Sequence, residues 1–93
     1  MGSSFTIKIP KNFTVDEVSE FRTEINSLVN MGRIDFVIDF SECDFIDSTG
    51  LGALVSVYKK CAEHDGKIKL ISLNAEVKKL FELTRLDRVF EIC

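Results

Sequence analysis

The run Ile34–Phe40 is the segment that most restricts how this chain can fold. Its sequence, Ile-Asp-Phe-Val-Ile-Asp-Phe, holds five apolar residues in seven. It is too short and too apolar for a surface helix, and its β-branched content favours a strand that is covered on both faces. Because helical patterns flank it on both sides, we predict that it forms the central strand of an α/β sheet.

One strand and one helix are predicted before this run. Phe5–Ile9 alternates apolar and polar residues, which is the period of a strand with one buried face, and Pro10 then ends it. That strand should lie towards an edge of the sheet. Thr14–Glu17 has the spacing of a capping box, so a helix is predicted from about residue 15 to Gly32, which can take the left-handed conformation that ends a helix.

Two helices and two strands are predicted after the central run. Apolar residues recur at helical spacing over Leu51–Ala62, and His64–Gly66 should end that helix. Lys67–Leu73 is typical of a strand, Asn74 can cap a third helix, and Val89–Ile92 predicts a last strand. The order is β-α-β-α-β-α-β. Strands joined by helices of this length are normally parallel, which predicts a small sheet with helices packed against it.

Size and charge limit the domain count and the class of partner. The 93 residues are 45% hydrophobic, enough for one core and too few for two, so residues 1–93 are predicted to form a single domain. A net charge of −3 and a pI near 5.1 argue against a nucleic acid or an anionic membrane surface as the main partner. Without an apolar run long enough to span a membrane, we expect a cytoplasmic protein with protein or small-molecule partners.

The residue types that bind metals or form disulfides follow no specific pattern. The three cysteines, Cys43, Cys61 and Cys93, lack CxxC spacing, and His64 is the single histidine. Neither a disulfide framework nor a zinc site is therefore indicated. A cluster of Asp39, Asp44 and Asp47 would offer Mg²⁺ the oxygen ligands it prefers, but acidic turns are common, and we predict no metal site.

The segment Asp47–Gly52 lies where a strand-like run gives way to a helical pattern, and it presents the Ser48 hydroxyl at a helix N-terminus. The first turn of a helix leaves backbone amides unpaired and carries partial positive charge, which suits an Asp or Ser cap and tolerates a phosphate. On this local pattern alone, an ordinary cap explains both residues. Whether the cap is also regulated stays open at this point.

Neither phosphate-loop nor hydrolase chemistry fits this segment. Gly50 and Gly52 lack the third glycine of a dinucleotide-binding motif, because Val55 stands in its place. The glycines are better interpreted as letting another backbone or a partner approach the helix start closely. His64 follows Ser48 by 16 residues of predicted helix, about 20 Å, so it cannot serve as its catalytic base.

The sequence from Asp39 to Leu54 resembles the signature of STAS domains, and specifically of bacterial anti-sigma factor antagonists. The likeness rests on Asp-Ser-Thr-Gly-Leu-Gly at 47–52, continues through Lys67–Leu73 and Asn74–Thr84, and covers roughly residues 34–92. It implies a mixed, mostly parallel sheet of four or five strands with packed helices. It also implies a partner-switching regulator that binds a kinase-type anti-sigma factor and thereby displaces the sigma factor.

In that scheme the anti-sigma factor serine kinase phosphorylates the serine directly after the aspartate, here Ser48, and a separate phosphatase resets it. The implied switch loop consists of Asp47, Ser48, Thr49, Gly50, Leu51 and Gly52. The domain would be a substrate rather than an enzyme, with no catalytic residue and no cofactor. Two alternatives stay open. One is a STAS module that senses a nucleotide or small molecule at this helix start, and the other is a structural subunit of a transport or stressosome-like complex.

Three departures from the family pattern give further expectations. Ile9–Thr14 shows a single strand and a short turn where the family usually has a strand pair. Arg85 stands where the family often has glycine, so a positive φ there would cost roughly 1 kcal/mol. The sequence ends at Cys93 without the helix that commonly follows the last strand, which predicts that one side of the sheet is thinly covered or paired with another chain.

Overall fold

A four-stranded parallel sheet forms the centre of the fold, which a computed structural model describes for residues 4–93. Residues 1–3 of the predicted domain lie outside the described residues. The elements follow in the order β1 (Phe5–Lys8), β2 (Asn12–Phe13), α1 (Val15–Asn30), β3 (Asp35–Asp39), β4 (Phe45–Ile46), α2 (Ser48–Glu63), β5 (Lys67–Ile71), α3 (Ala75–Leu83), a 3₁₀ helix (Leu86–Arg88) and β6 (Glu91–Ile92).

The strand order in the main sheet is β1-β3-β5-β6, and each of these pairings is parallel. Phe36 of β3 pairs with Phe5 on one side and with Ile68 on the other. The predicted α/β fold is therefore confirmed, with β1 at an edge and β3 inside the sheet. Both features follow from sequence pattern, since the edge strand alternates and the inner strand is the more apolar one.

The helices cover one face of this sheet. Residues that alternate along β1, β3 and β5 join a single buried cluster with residues from all three helices. The residues between them stay at least partly exposed on the other face. The prediction that Ile34–Phe40 is covered on both faces is therefore wrong, whereas the open face agrees with the expectation of a thinly covered side. The open face carries Thr6, Lys8, Asp35, Val37, Asp39, Lys67, Lys69, Ile71 and Glu91.

A second sheet of two short parallel strands, β2 and β4, was not predicted. Asn12 pairs with Phe45 and Phe13 pairs with Ile46. The expectation of a single strand and a turn over Ile9–Thr14 is thus incomplete, because the chain forms a second strand there. That strand pairs with β4 and not with β1. The small sheet joins the start of α1 to the start of α2.

Aromatic rings meet edge to face across the core. Phe13 of β2 and Phe21 of α1 have ring centroids 5.1 Å apart, at an interplanar angle of 84°. Phe81 of α3 contacts both Phe40 and Phe90, each with a centroid distance of 5.9 Å. Such pairs stabilise by about 0.5–1.5 kcal/mol beyond the area they bury. They connect α1 to β2, and α3 to the residues that directly follow β3 and precede β6.

The ends of the helices follow the predicted local signals. Glu17 accepts hydrogen bonds from the Thr14 amide at 3.3 Å and from its hydroxyl at 2.8 Å, and these bonds lower the pKa of the Glu17 carboxyl. Gly32 has a φ of +89°, as expected after α1. Asn74 caps α3 by accepting from the Val77 amide at 2.8 Å. The last strand is shorter than predicted and begins at Glu91, because a 3₁₀ turn holds the residues before it.

The cysteines are free thiols in two different settings. Cys43 and Cys61 are buried, and burial raises the pKa of both thiols, whereas Cys93 is exposed. The buried pair belongs to the hydrophobic cluster and fills space there. No helix within residues 4–93 has the length and apolar character that a membrane span requires.

Arg85 has a φ of 62°, which is the left-handed conformation. The sequence analysis considered this conformation because the family often has glycine at this position. We expect Arg85→Gly to raise the free energy of unfolding by about 1 kcal/mol, because glycine has no Cβ to clash with the carbonyl group. For a domain of this size that corresponds to a melting temperature about 4–8 °C higher. Arg85→Ala is the control, since it removes the guanidinium and keeps the Cβ. Equal melting temperatures for the two variants would contradict the explanation.

Candidate functional site

Helix α2 begins at Ser48, and Asp47 alone separates it from strand β4. The Asp47 backbone is extended, with φ −102° and ψ −176°, and its carboxylate Oδ1 accepts a hydrogen bond from the Gly50 amide at 3.0 Å. The Leu51 amide donates to the Asp47 carbonyl at 3.0 Å and starts the helical ladder. Asp47 is therefore the cap, and Ser48 is the first residue of the helix.

The residues of the predicted switch loop differ in exposure. Ser48, Thr49 and Gly52 are exposed, while Asp47 and Leu51 are half-buried. Gly50 is buried. The loop thus presents two neighbouring hydroxyl groups to solvent at the positive end of a 16-residue helix.

The two glycines of this loop have opposite surroundings. A Cβ at Gly50 would lie 2.6 Å from the carbonyl oxygen of Phe13 and 2.7 Å from Cγ1 of Ile46, both shorter than a real contact permits. Gly50 is therefore the point where α2 approaches the backbone of β2, which the sequence analysis predicted as one of two possible roles for the pair of glycines. A Cβ at Gly52 would meet no atom within 4 Å. Its surface is open.

The three aspartates considered as magnesium ligands are engaged separately. Asp39 accepts from the Ser41 amide at 2.8 Å, and that bond is the largest cause of the lowered pKa of Asp39. Asp44 lies 3.9 Å from the Lys11 ammonium, and Asp47 caps α2. Within residues 4–93, no group of three His, Cys, Asp or Glu side chains is arranged to hold a metal. His64 lies at the opposite end of α2 from Ser48.

An apolar groove beside the switch loop was not predicted. Phe45 of β4 is 53% exposed, although it stands three residues before Ser48 in a run that the sequence analysis treated only as a lead into the helix. The groove has a volume of about 280 Å³. Its lining comes from β4 and α3, namely Asp44, Phe45, Ile46, Glu76, Val77 and Leu80. The two-residue strand explains the exposure, because Ile46 points to the core and its neighbour must point away.

Comparison with known sequences identifies related proteins. A family model described as the STAS domain matches residues 2–93. The anti-sigma-B factor antagonist of Listeria monocytogenes is 36% identical over 55 residues, which are 59% of this chain and 48% of that protein. The match therefore spans about half the length of that relative. The anti-sigma-B factor antagonist of Staphylococcus aureus is 23% identical over 88 residues, 95% of this chain and 82% of that protein.

Solved structures share the fold. Unphosphorylated SpoIIAA, described as an anti-sigma factor antagonist, matches with a TM-score of 0.84 and 19% identity, over 100% of this chain and 84% of that chain. The Bacillus cell fate determinant SpoIIAA in its phosphorylated form matches with a TM-score of 0.77 and 19% identity, over 100% of this chain and 86% of that chain. These likenesses confirm the predicted fold class.

The cap at Asp47 gives a prediction about stability. Asp47→Ala should lower the free energy of unfolding by about 1 kcal/mol, because it leaves the Gly50 amide without its partner. Asp47→Asn keeps an acceptor oxygen and should lose only a fraction of that. The matched control is Asp44→Ala, which removes an exposed aspartate from an ion pair and should change stability by less than about 0.5 kcal/mol. Urea unfolding of the three variants measures the differences, and an Asp47→Ala value as small as the control would exclude the cap.

The two glycines give a second prediction. Gly50→Ala should lower the free energy of unfolding by about 1–3 kcal/mol, because backbone and core atoms must move to admit the methyl group. Gly52→Ala should leave stability unchanged or raise it by up to about 1 kcal/mol, since alanine favours helix and the space is open. Thermal unfolding followed by circular dichroism compares them. If both substitutions had the same effect, the close approach at Gly50 would be refuted.

Proposed function

This chain belongs to the STAS domain family, and we propose that it is a cytoplasmic anti-sigma factor antagonist regulated by phosphorylation of Ser48. The observation that carries the proposal is the exposed hydroxyl of Ser48, placed at the first position of α2 by a cap that another residue provides. The names of its relatives, anti-sigma-B factor antagonists, support the same role.

Exposure of Ser48 suits it to be a substrate of a kinase. The kinase would bring ATP, Mg²⁺ and a catalytic base. Oγ of Ser48 would attack the γ-phosphorus, the bond between that phosphorus and the bridging oxygen would break, and the proton would pass to the base of the kinase while ADP leaves. Asp47 holds the turn by accepting the Gly50 amide with Oδ1, which leaves its second carboxylate oxygen available to orient the Ser48 hydroxyl. In this proposal the domain is not an enzyme.

Phosphate at Ser48 should leave the fold intact. The hydroxyl lies outside the core, and the contacts that hold the turn belong to Asp47 and Gly50. A phosphate adds about −1.5 to −2 charges, and the positive end of the α2 dipole offsets part of its repulsion from Asp47. The modification would therefore act on whatever binds over this turn.

The surface around Ser48 offers a partner both close approach and an apolar contact. Gly52 stands one helical turn after Ser48 on the same face of α2, and no atom lies within 4 Å of its missing side chain. Phe45 supplies an exposed aromatic ring, a residue type common at the centres of interfaces. A kinase-type anti-sigma factor packed here would have to desolvate the phosphate without a matching charge, at a cost of several kcal/mol. Release of the partner follows, and a phosphatase would restore binding.

The contact at Gly50 weighs against the alternative of nucleotide sensing at this helix start. A glycine that cradles a phosphate keeps its surface open to the ligand, whereas Gly50 is occupied by the carbonyl of Phe13 and the side chain of Ile46. The second alternative, a structural subunit in which Ser48 is only a cap, is weakened because Asp47 holds the cap position.

The test uses a purified kinase-type anti-sigma factor from the organism that encodes this protein. Incubation with that kinase and ATP should place one phosphate on Ser48, located by mass spectrometry. Thr49→Ala should still be phosphorylated and Ser48→Ala should not. Modification of Thr49 instead, or none, would contradict the proposal.

Binding provides the second half of this test. Ser48→Asp should weaken binding to the anti-sigma factor by about 100-fold or more, given several kcal/mol for an unpaired charge and tenfold per 1.4 kcal/mol. Ser19→Asp is the matched control, because it adds the same charge on an exposed position of α1. Calorimetry measures both. Unchanged affinity for Ser48→Asp would remove the switch, and equal losses for both variants would assign the effect to net charge.

A further inference from the structure

The charged residues of α1 are sorted between its two sides. Glu17, Glu20 and Glu24 line a groove against β1. Arg22, on the side that faces α2, lines a different crevice together with Asn26. Although the protein is acidic, two cationic side chains, Arg22 and Lys60, line the same crevice.

The crevice between α1 and α2 is small, and apolar side chains form its base. It has a volume of about 100 Å³ and is lined by Arg22, Ile25, Asn26, Ser56, Val57 and Lys60. Ile25 and Val57 are buried and close its base, at 1% and 3% exposure. The polar residues around the opening come from both helices. A ligand held by them would therefore contact α1 and α2 together.

Hydrogen bonds orient the donors of this crevice. The Lys60 ammonium donates to Oδ1 of Asn26, which leaves the amide group of Asn26 available as a donor. The Ser56 hydroxyl donates to the Gly52 carbonyl at 3.1 Å and is engaged within its own helix. Arg22 contributes a planar fork of N–H donors. Two cations and one amide therefore surround the opening.

Within residues 4–93, no carboxylate oxygen lies within 4 Å of the Arg22 or Lys60 cation. The ion pairs there join Lys8 to Glu42, Lys11 to Asp44 and Lys69 to Glu91. Arg22 and Lys60 take part in none of them. Two like charges beside one crevice repel each other, and an anion between them would relieve that repulsion.

We propose that the crevice formed by Arg22, Asn26, Lys60 and the buried floor binds a phosphate group. Arginine offers paired donors that match two phosphate oxygens, and lysine adds a point charge. The volume is below the roughly 300 Å³ at which pockets for larger small molecules begin, so only the phosphate enters. Its source is either free inorganic phosphate or a phosphomonoester whose remaining part stays in solvent.

This site is separate from the proposed phosphoacceptor. Ser56 and Lys60 follow Ser48 by 8 and 12 residues along α2, which at 1.5 Å per residue is about 12 and 18 Å. A phosphate on Ser48 therefore does not reach the crevice. The two proposals can fail independently, because one concerns a covalent modification at the start of α2 and the other a reversible ligand further along it.

The experiment titrates the isotope-labelled protein with sodium phosphate at constant ionic strength, balanced with chloride, and follows the backbone amide signals. The signals of residues 22, 26, 56 and 60 should shift and saturate in the millimolar range. The double variant Arg22→Gln/Lys60→Gln should bind at least about tenfold more weakly, because two charge-assisted hydrogen bonds are lost. Shifts that do not saturate, or that persist in this variant, would overturn the proposal.

Two controls keep the result interpretable. Lys78→Gln/Lys79→Gln removes the same charge from exposed positions on α3 and should leave the phosphate shifts unchanged. If the crevice variant loses its fold, the substitution Arg22→Lys serves in its place, and it should weaken binding while preserving charge.

Adenosine monophosphate and adenosine distinguish the two possible sources of the phosphate group. Saturable shifts with the monophosphate indicate a phosphomonoester, shifts with inorganic phosphate alone indicate the free ion, and equal shifts with adenosine would overturn phosphate recognition.

Discussion

The close approach of α2 to β2 at Gly50 fixes the position of the candidate site. Phe13 presents its carbonyl oxygen to Gly50, buries its side chain completely, and packs its ring against Phe21 of α1. One residue thus joins the small sheet, the first helix and the second helix. Because protein interiors are densely packed, a shift at this junction moves the start of α2 as a unit. The exposed hydroxyl of Ser48 is held in place by residues that lie behind it.

Local signals predicted the three helices and the four strands of the main sheet, because their causes lie within a few residues. Thr14 and Glu17 bond to each other, and Asn74 caps the helix that it precedes. The strands β2 and β4 escaped prediction because each is two residues long and exists only through pairing with a partner more than 30 residues away. The cap was ambiguous for a different reason, since aspartate and serine both favour that position and only the geometry assigns it to Asp47.

The open face of the main sheet explains why the central strand misled the sequence analysis. Every second residue of β3 lies on that face, where register brings Asp35 opposite Lys67. Further along, Lys69 and Glu91 form an ion pair at 3.5 Å. Opposite charges that face each other on neighbouring strands let a sheet remain solvated on one side. The apolar count of Ile34–Phe40 could not show this, because facing partners are set by register and not by composition.

The separation of roles between Asp47 and Ser48 has a consequence for how such a domain can change over time. The residue that stabilises the turn, Asp47, is not the residue that exposes its hydroxyl to solvent, Ser48, so selection can act on either one with little cost to the other. Position 48 can exchange serine for threonine, for an acid or for an inert side chain while the scaffold persists, because the Ser48 side chain is exposed and Asp47 provides the cap. If Ser48 is the phosphoacceptor, as we propose, a substitution there would change the regulation of the domain without requiring a compensating change in the core.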